Sequence, residues 1–182
     1  ELQIYIRSFS EIKMTGDRCA GQLLFKDFED ESVTSGDWSV AQVIGTDTWE
    51  VGFFGSNALK IQNYDGSNNN ACENWYLSPE IDLTNSPSSF ISFDNDTRYT
   101  GDQLKLLVSI DFTGTGNPNN STWIDLSTNV SWDPNTGDWG FHNSGNVDLS
   151  QFLGETIFIA FKYTGSNSNG ATWELDNISV NG

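Results

Sequence analysis

Residues 171–180, ATWELDNISV, alternate apolar and polar side chains in the way that predicts a β-strand. Trp173 and Leu175 fall on one face of such a strand, and the apolar pattern resumes at Ile178. Asp176 lies inside the pattern, where a carboxylate is uncommon unless it has a partner. The stretch therefore predicts a strand and raises the question of what pairs with Asp176.

Short stretches of the same kind recur along the whole chain. They are LQIYIRS (2–8), QLLFKDF (22–28), WSVAQVI (38–44), ALKIQNY (58–64), SSFISFDN (88–95), QLKLLVSIDF (103–112), STWIDLS (121–127) and ETIFIAFKY (155–163). Between them lie turn-forming stretches such as DGSNNN (65–70), TGTGNPNNS (113–121) and TGSNSNG (164–170). Short strands separated by Gly- and Asn-rich turns predict an all-β sandwich of two antiparallel sheets.

The composition narrows the classes of function that remain open. The 182 residues suit one domain, and 36% hydrophobic residues suffice for a sizeable core. The formal net charge is -17 and the pI is about 4.1, so nucleic acid and anionic lipid surfaces would be repelled. No apolar run has the length of a membrane span. We expect neither nucleic-acid binding nor membrane insertion.

The first residues differ from the rest of the sequence, because they contain a concentrated share of the few basic side chains. We interpret residues 1–21 as the tail of a preceding module or a linker strand, and residues 22–182 as the sandwich. Cys19 and Cys72 lack the spacing of a zinc or redox motif. A disulfide between them and two separate thiols both stay open.

Six phrases, in order, resemble one family of extracellular domains. They are FKDFED (25–30), GDWSV (36–40), ACENWYLSPEIDL (71–83), SFDNDTRYTGDQLKLLVSIDF (92–112), VDLSQFLGETIFIAFKY (147–163) and TWELDNISV (172–180). They resemble the choice-of-anchor J, or cleaved-adhesin, jelly-roll domains of Bacteroidetes surface and secreted proteins. Residues 2–19 resemble the end of an OB-like module that often precedes such domains.

The resemblance implies a jelly roll that is similar in shape to MAM domains and to many carbohydrate-binding modules. It also implies an extracellular or cell-surface location, a place within a larger chain, and frequent calcium binding. It does not imply one ligand, since family members serve as adhesins, enzyme appendages and spacers. We expect a monomeric module of this kind.

A calcium site is expected where the first sandwich strand lies beside the last. The resemblance places Asp27, Glu29 and Asp176 there. If Phe28 points into the core, the two-residue period of a strand puts Asp27 and Glu29 together on the opposite face. Calcium accepts such oxygen ligands; solvated acids, or Asp176 capping a turn, are the alternatives. Asp94 and Asp102 are further candidate ligands.

Catalysis has little support in the sequence. His142 is the only histidine and lies among Gly, Asn and Ser without a nucleophile motif. Glu174 and Asp176 resemble the start of the Glu-Ile-Asp-x-x-Glu signature of jelly-roll glucanases, but Ser179 stands where the second glutamate should be. A glycosidase needs two carboxylates across the scissile bond. We therefore predict that the protein is not an enzyme.

The aromatic residues are the remaining candidates for function. Indole rings stack on sugar faces, and neighbouring amides bind hydroxyl groups, which favours recognition of a polysaccharide. Trp38, Trp75, Trp123 and Trp173 lie in strand-like phrases and are expected in the core. The candidate ligand-binding residues are Trp132, Tyr64, Tyr99, Trp49 and Trp139. Trp132 in VSWDPNTGDWG (130–140) is expected to be exposed; a protein-directed adhesin or a structural spacer is the alternative function.

Overall fold

In the computed structural model, which describes residues 21–182, the chain forms a sandwich of two antiparallel β-sheets. Its strands are β1 (Gln22–Lys26), β2 (Ser39–Ile44), β3 (Glu50–Phe53), β4 (Asn57–Ile61), β5 (Cys72–Leu77), β6 (Ile81–Asp82), β7 (Phe90–Arg98), β8 (Lys105–Ser109), β9 (Ile124–Asp125), β10 (His142–Asn143), β11 (Val147–Asp148), β12 (Thr156–Gly165) and β13 (Thr172–Asn181). The predicted all-β jelly-roll fold is confirmed. The interpretation of residues 1–21 and the pairing of Cys19 fall on residues 1–20, outside the described part.

One sheet has seven strands and the other has six. In the first the order is β10-β7-β13-β4-β3, with β1 also beside β13 and β11 beside β7. In the second it is β2-β5-β12-β8-β9, with β6 also beside β12. The helices within residues 21–182 are single 3-10 turns: Ser35–Asp37, Pro118–Asn120, Ser127–Asn129 and Ser150–Phe152. None of the helices in this part of the chain is long or apolar enough to cross a membrane.

The main core fills the space between the two sheets, because every second residue of each strand points inward. Leu59, Phe93 and Leu175 come from the seven-stranded sheet, and Leu106 and Phe161 come from the six-stranded sheet; all five are fully buried. Phe93 and Phe161 meet edge to face across the sandwich, with ring centroids 5.0 Å apart.

A second apolar cluster covers the outer face of the six-stranded sheet. It consists of Trp75, Leu77, Leu107, Phe112, Phe158 and Ala160, with Trp123 packed against it. Phe112 and Trp123 come from the long segment between β8 and β9, which folds back over the strands. The outer face of the seven-stranded sheet carries polar side chains instead, and the candidate site lies there.

Asp176 lies at an irregularity in β13. Opposite β7, Asp176 pairs with Asp94 and the register then shifts before Ser179, which is a β-bulge. Asn177, at this bulge, has a left-handed backbone with φ 51°. On its other edge β13 pairs with β4 as far as Leu175, and then with β1. The bulge thus marks the point where one neighbouring strand replaces another.

Candidate functional site

The candidate site is built on β4, β13 and β7, whose outward side chains form rows across the seven-stranded sheet. Glu174 of β13 is directly paired with Lys60 of β4 on one side and with Asp96 of β7 on the other. In the adjacent row, Thr172 pairs with Arg98 and its hydroxyl donates to Gln62 Oε1 at 3.3 Å. Hydrogen-bonding groups therefore line the floor of this face.

Two adjoining cavities lie over these rows. The first has a volume of about 520 Å³ and is lined by Gln62, Tyr64, Asn69, Tyr99, Thr100, Ser168, Asn169, Gly170 and Thr172. The second has a volume of about 290 Å³ and is lined by Phe54, Lys60, Gln62, Tyr99, Trp139, Thr172 and Glu174. Because Gln62, Tyr99 and Thr172 line both, the two cavities form one groove.

Exposed aromatic rings form the walls of the groove. Tyr64, Tyr99 and Trp139 are 48%, 61% and 49% exposed. Tyr99 and Trp139 meet edge to face with centroids 6.5 Å apart, and the guanidinium of Arg98 lies 5.0 Å from the Trp139 ring. Asn135 Nδ2 donates to the carbonyl oxygen of Tyr99 at 2.9 Å, which ties the loop before Trp139 to the end of β7. The rings are thus held at the surface by polar contacts.

The amide-rich end of the groove is organised by Asn63, which is fully buried. Its Nδ2 lies 2.9 Å from the carbonyl oxygen of Asn70 and 3.0 Å from that of Ser166, so one side chain joins the loop after β4 to the loop after β12. Gly165 and Gly170 pack so closely on Asn63 that an added Cβ would collide with it. These contacts fix the wall of the first cavity.

Two buried carboxyl groups lie beneath the second cavity. Glu174 and Asp96 are each 2% exposed, and Glu174 Oε1 and Asp96 Oδ1 have no hydrogen-bond partner. The pKa of Glu174 is raised to about 7, mainly by burial and also by the charge of Asp96, while the charge of Lys60 opposes the shift. Burial also raises the pKa of Asp96, whose Oδ2 accepts from the Gly140 amide at 2.6 Å. The sequence pattern did not predict Glu174 and Asp96 as a binding feature.

Three of the predicted ligand-binding residues, Tyr64, Tyr99 and Trp139, line the groove. The expected exposure of Trp132 is wrong, and Trp49, in the loop before β3, is buried. Trp132 is partly buried against the core, where its Nε1 donates to the carbonyl oxygen of Ser127 at 2.9 Å. Trp49 is 3% exposed and packs against a core tyrosine. Both indoles stabilise the sandwich.

Three of the predicted metal ligands lie near the β13 bulge. Burial raises the pKa of Asp176, and the charges of Asp94 and Glu29 raise it further, so both neighbours disfavour the ionised form of Asp176. Asp176 accepts from the Ser56 hydroxyl at 3.1 Å and from the Asn177 amide at 2.7 Å. These local donors, together with Asp94 and Glu29, surround Asp176.

The other two predicted ligands are Asp27, which directly follows the end of β1, and Asp102. The strand ends at Lys26, and Phe28 is buried with a left-handed backbone, φ 58°. The strand alternation expected for Asp27 and Glu29 is therefore wrong; Asp27 Oδ1 instead accepts from the Glu29 amide at 3.3 Å. Asp102 accepts from the Thr164 hydroxyl at 2.9 Å.

The residues near the bulge suit calcium in donor type, since all are oxygen ligands. Their arrangement fits less well, because within residues 21–182 no three His, Cys, Asp or Glu side chains are grouped closely enough to hold a metal ion.

Comparisons with known proteins agree with this fold. A family model described as "Domain of unknown function (DUF5017)" matches residues 54–182. No curated protein matches the chain. The K3 cleaved adhesin domain of Lys-gingipain from Porphyromonas gingivalis is 14% identical, with 87% of this chain and 96% of that chain covered and a TM-score of 0.57.

The K1 cleaved adhesin domain of the same protein is 16% identical, with 86% of this chain and 96% of that chain covered and a TM-score of 0.53. These likenesses show a shared fold. They support the expected adhesin-type jelly roll, whereas the specific assignment to choice-of-anchor J is not supported.

Proposed function

This chain belongs to the DUF5017 family, and from that premise we propose that it is a non-catalytic module that binds polysaccharide in the groove over β4, β13 and β7. The observation that carries the proposal is the combination of exposed Tyr64, Tyr99 and Trp139 with an amide- and hydroxyl-lined floor. Aromatic rings stack on sugar faces while polar floor groups bind hydroxyls. The groove extends over two adjoining cavities, an arrangement that suits a chain of several sugar rings.

The test is titration calorimetry of the whole chain against neutral and acidic plant and marine polysaccharides. Tyr99→Ala and Trp139→Ala should each weaken binding by about tenfold or more, because each removes a ring from the groove wall. Phe25→Ala is the matched control: Phe25 is 43% exposed but lines neither cavity. Absence of binding across the panel would favour a protein-directed adhesin or a spacer.

The two carboxyl groups under the groove are the feature most suggestive of an enzyme. A glycosidase places its carboxyl groups on opposite sides of the scissile bond. Glu174 and Asp96 are neighbours in the same row of the sheet, and Asp96 lies beneath the Gly140 amide. We infer that they contribute to binding. Hydrolysis of any bound polysaccharide that is lost in Glu174→Gln would contradict this.

Calcium is part of the proposal. The negative charges of Asp94 and Glu29 beside Asp176 support a calcium site, because a divalent cation would neutralise them. An extracellular or cell-surface location, within a larger chain, is proposed on the sequence resemblance and on the strongly acidic charge. The assay for calcium is thermal melting with and without chelator.

A further inference from the structure

We propose that Glu174 determines which sugars the groove accepts, by taking a hydrogen bond from a free hydroxyl of a neutral oligosaccharide. This inference rests on the proposed function of the groove. Glu174 is the acidic side chain that lines the second cavity, and its Oε1 is without a donor although the side chain is buried. A buried acceptor without a donor is costly, so a ligand that supplies one gains affinity.

The neighbouring hydrogen-bonding groups favour a hydroxyl over an ammonium group as that donor. Lys60 lines the same cavity, and its Nζ lies 3.5 Å from the exposed carboxylate of Glu50. A hydroxyl can donate to Glu174 and accept from Lys60 at the same time. An ammonium group can donate to Glu174 but cannot accept from Lys60.

The same arrangement rejects anionic sugars. Above pH 7, where Glu174 is ionised, a carboxylate or sulfate finds no hydrogen on Glu174 and has none to donate, and it would face both Glu174 and the adjacent Asp96. The positive charges of Lys60 and Arg98 are already engaged, the first by Glu50 and the second by the rings of Tyr99 and Trp139. The acidic pair of Glu174 and Asp96 therefore makes the groove favour neutral sugars over anionic ones.

The first cavity extends the site beyond one sugar ring. Its lining is uncharged, with amides and hydroxyls from the loops joined by Asn63. A sugar ring bound there would contact Tyr64 and Asn69, and its recognition would not depend on Glu174. The ligand class is accordingly a neutral oligosaccharide of at least two rings, with an unsubstituted hydroxyl at the Glu174 end.

The experiment compares oligosaccharides that differ at one substituent, by titration calorimetry on the whole chain. At pH 8, where Glu174 is ionised, the first pair is cello-oligosaccharides and β-1,4-linked glucuronic acid oligomers, which differ at the C6 carboxylate. The second pair is cello-oligosaccharides and chitosan oligomers, which differ at the C2 amine. We expect the wild type to favour the neutral member of the first pair by about thirtyfold or more. Glu174→Gln, which offers an amide donor, should reduce that ratio to about threefold.

Glu80→Gln is the control, because it removes an exposed carboxylate that lines neither cavity and should leave the ratio unchanged. If Glu174→Gln does not fold, Asp96→Asn replaces it and should also lower the ratio. An equal ratio in wild type and variant overturns this inference alone. Chitosan oligomers that bind tenfold more tightly than cello-oligosaccharides overturn the hydroxyl assignment, and absence of all saccharide binding overturns the proposed function together with it.

Discussion

Replacing Glu174 with Gln should make the fold more stable at alkaline pH and change it little at acidic pH. In the folded protein burial, reinforced by Asp96, raises the pKa of Glu174 from 4.5 to about 7. The folded state therefore holds the proton more tightly than the unfolded chain does. The stability that the raised pKa of Glu174 contributes is fully present below pH 4.5 and is lost as the pH rises to about 7.

The size of the effect follows from the two pKa values. Each pH unit between them costs about 1.4 kcal/mol, so the wild type should lose about 2.5 kcal/mol of this contribution between pH 5 and pH 8. Glutamine does not titrate, and its amide can also donate to the unpaired oxygen of Asp96. The variant should then melt about 5–10 °C higher than the wild type at pH 8.

Urea denaturation of both proteins at pH 5, 6, 7 and 8 measures the difference directly. Asp176 also has a raised pKa and titrates in both proteins, so subtraction removes its contribution. The difference reports Glu174 together with its coupling to Asp96. A difference in unfolding free energy that is the same at all four pH values would refute the argument. It would mean that Glu174 is solvated or paired in the folded protein.

Three further results are expected. Trp132→Ala should cost about 2–3 kcal/mol of stability, because the Trp132 ring packs 5.3 Å from the Trp173 ring. It should leave saccharide binding intact. Urea denaturation measures the loss of stability, and calorimetry measures the binding. Millimolar calcium over a micromolar site should add about 4 kcal/mol, and Asp176→Ala should abolish the response; identical melting in calcium and EDTA would remove calcium from the proposal. Gly170→Ala should cost about 2 kcal/mol and weaken binding, because its Cβ would collide with Asn63, whereas Gly140→Ala, where the Cβ meets open space, should cost little; comparable urea midpoints would contradict this.

Sequence reasoning found the strands that are strongly apolar or that alternate clearly. The alternation in 171–180 matches β13, and the apolar run in 155–163 matches β12, which is buried on both faces. Five strands within residues 21–182 were missed, and three of them, β6, β10 and β11, are only two residues long. Cys72–Leu77 is buried on both faces, since Tyr76 points into the main core and Trp75 lies under the second cluster, so its residues do not alternate. Glu50–Phe53 is an edge strand interrupted by Gly52.

The site was harder to predict, because it depends on register between distant strands. Nothing local to Asp96 or Glu174 shows that they are neighbours, since one residue of slippage would put either on the other face. The alternation of β13 does place Glu174 on the same face as Asp176, which was the available signal. Trp132 shows the converse: its polar loop was identified, but its indole folds back to Ser127.

The two strands that lie at the centres of the sheets, β12 and β13, are also the latest in the described sequence. The earlier strands that pair with β12 can do so only after residues up to Gly165 have left the ribosome, and those that pair with β13 only after residues up to Asn181 have done so. Until then β7 and β4 expose unpaired edges with strongly hydrophobic faces, and sandwich folds with such distant pairings form slowly. During synthesis of this domain the edges of β4 and β7 that face β13 therefore stay open to aggregation until β13 has been made.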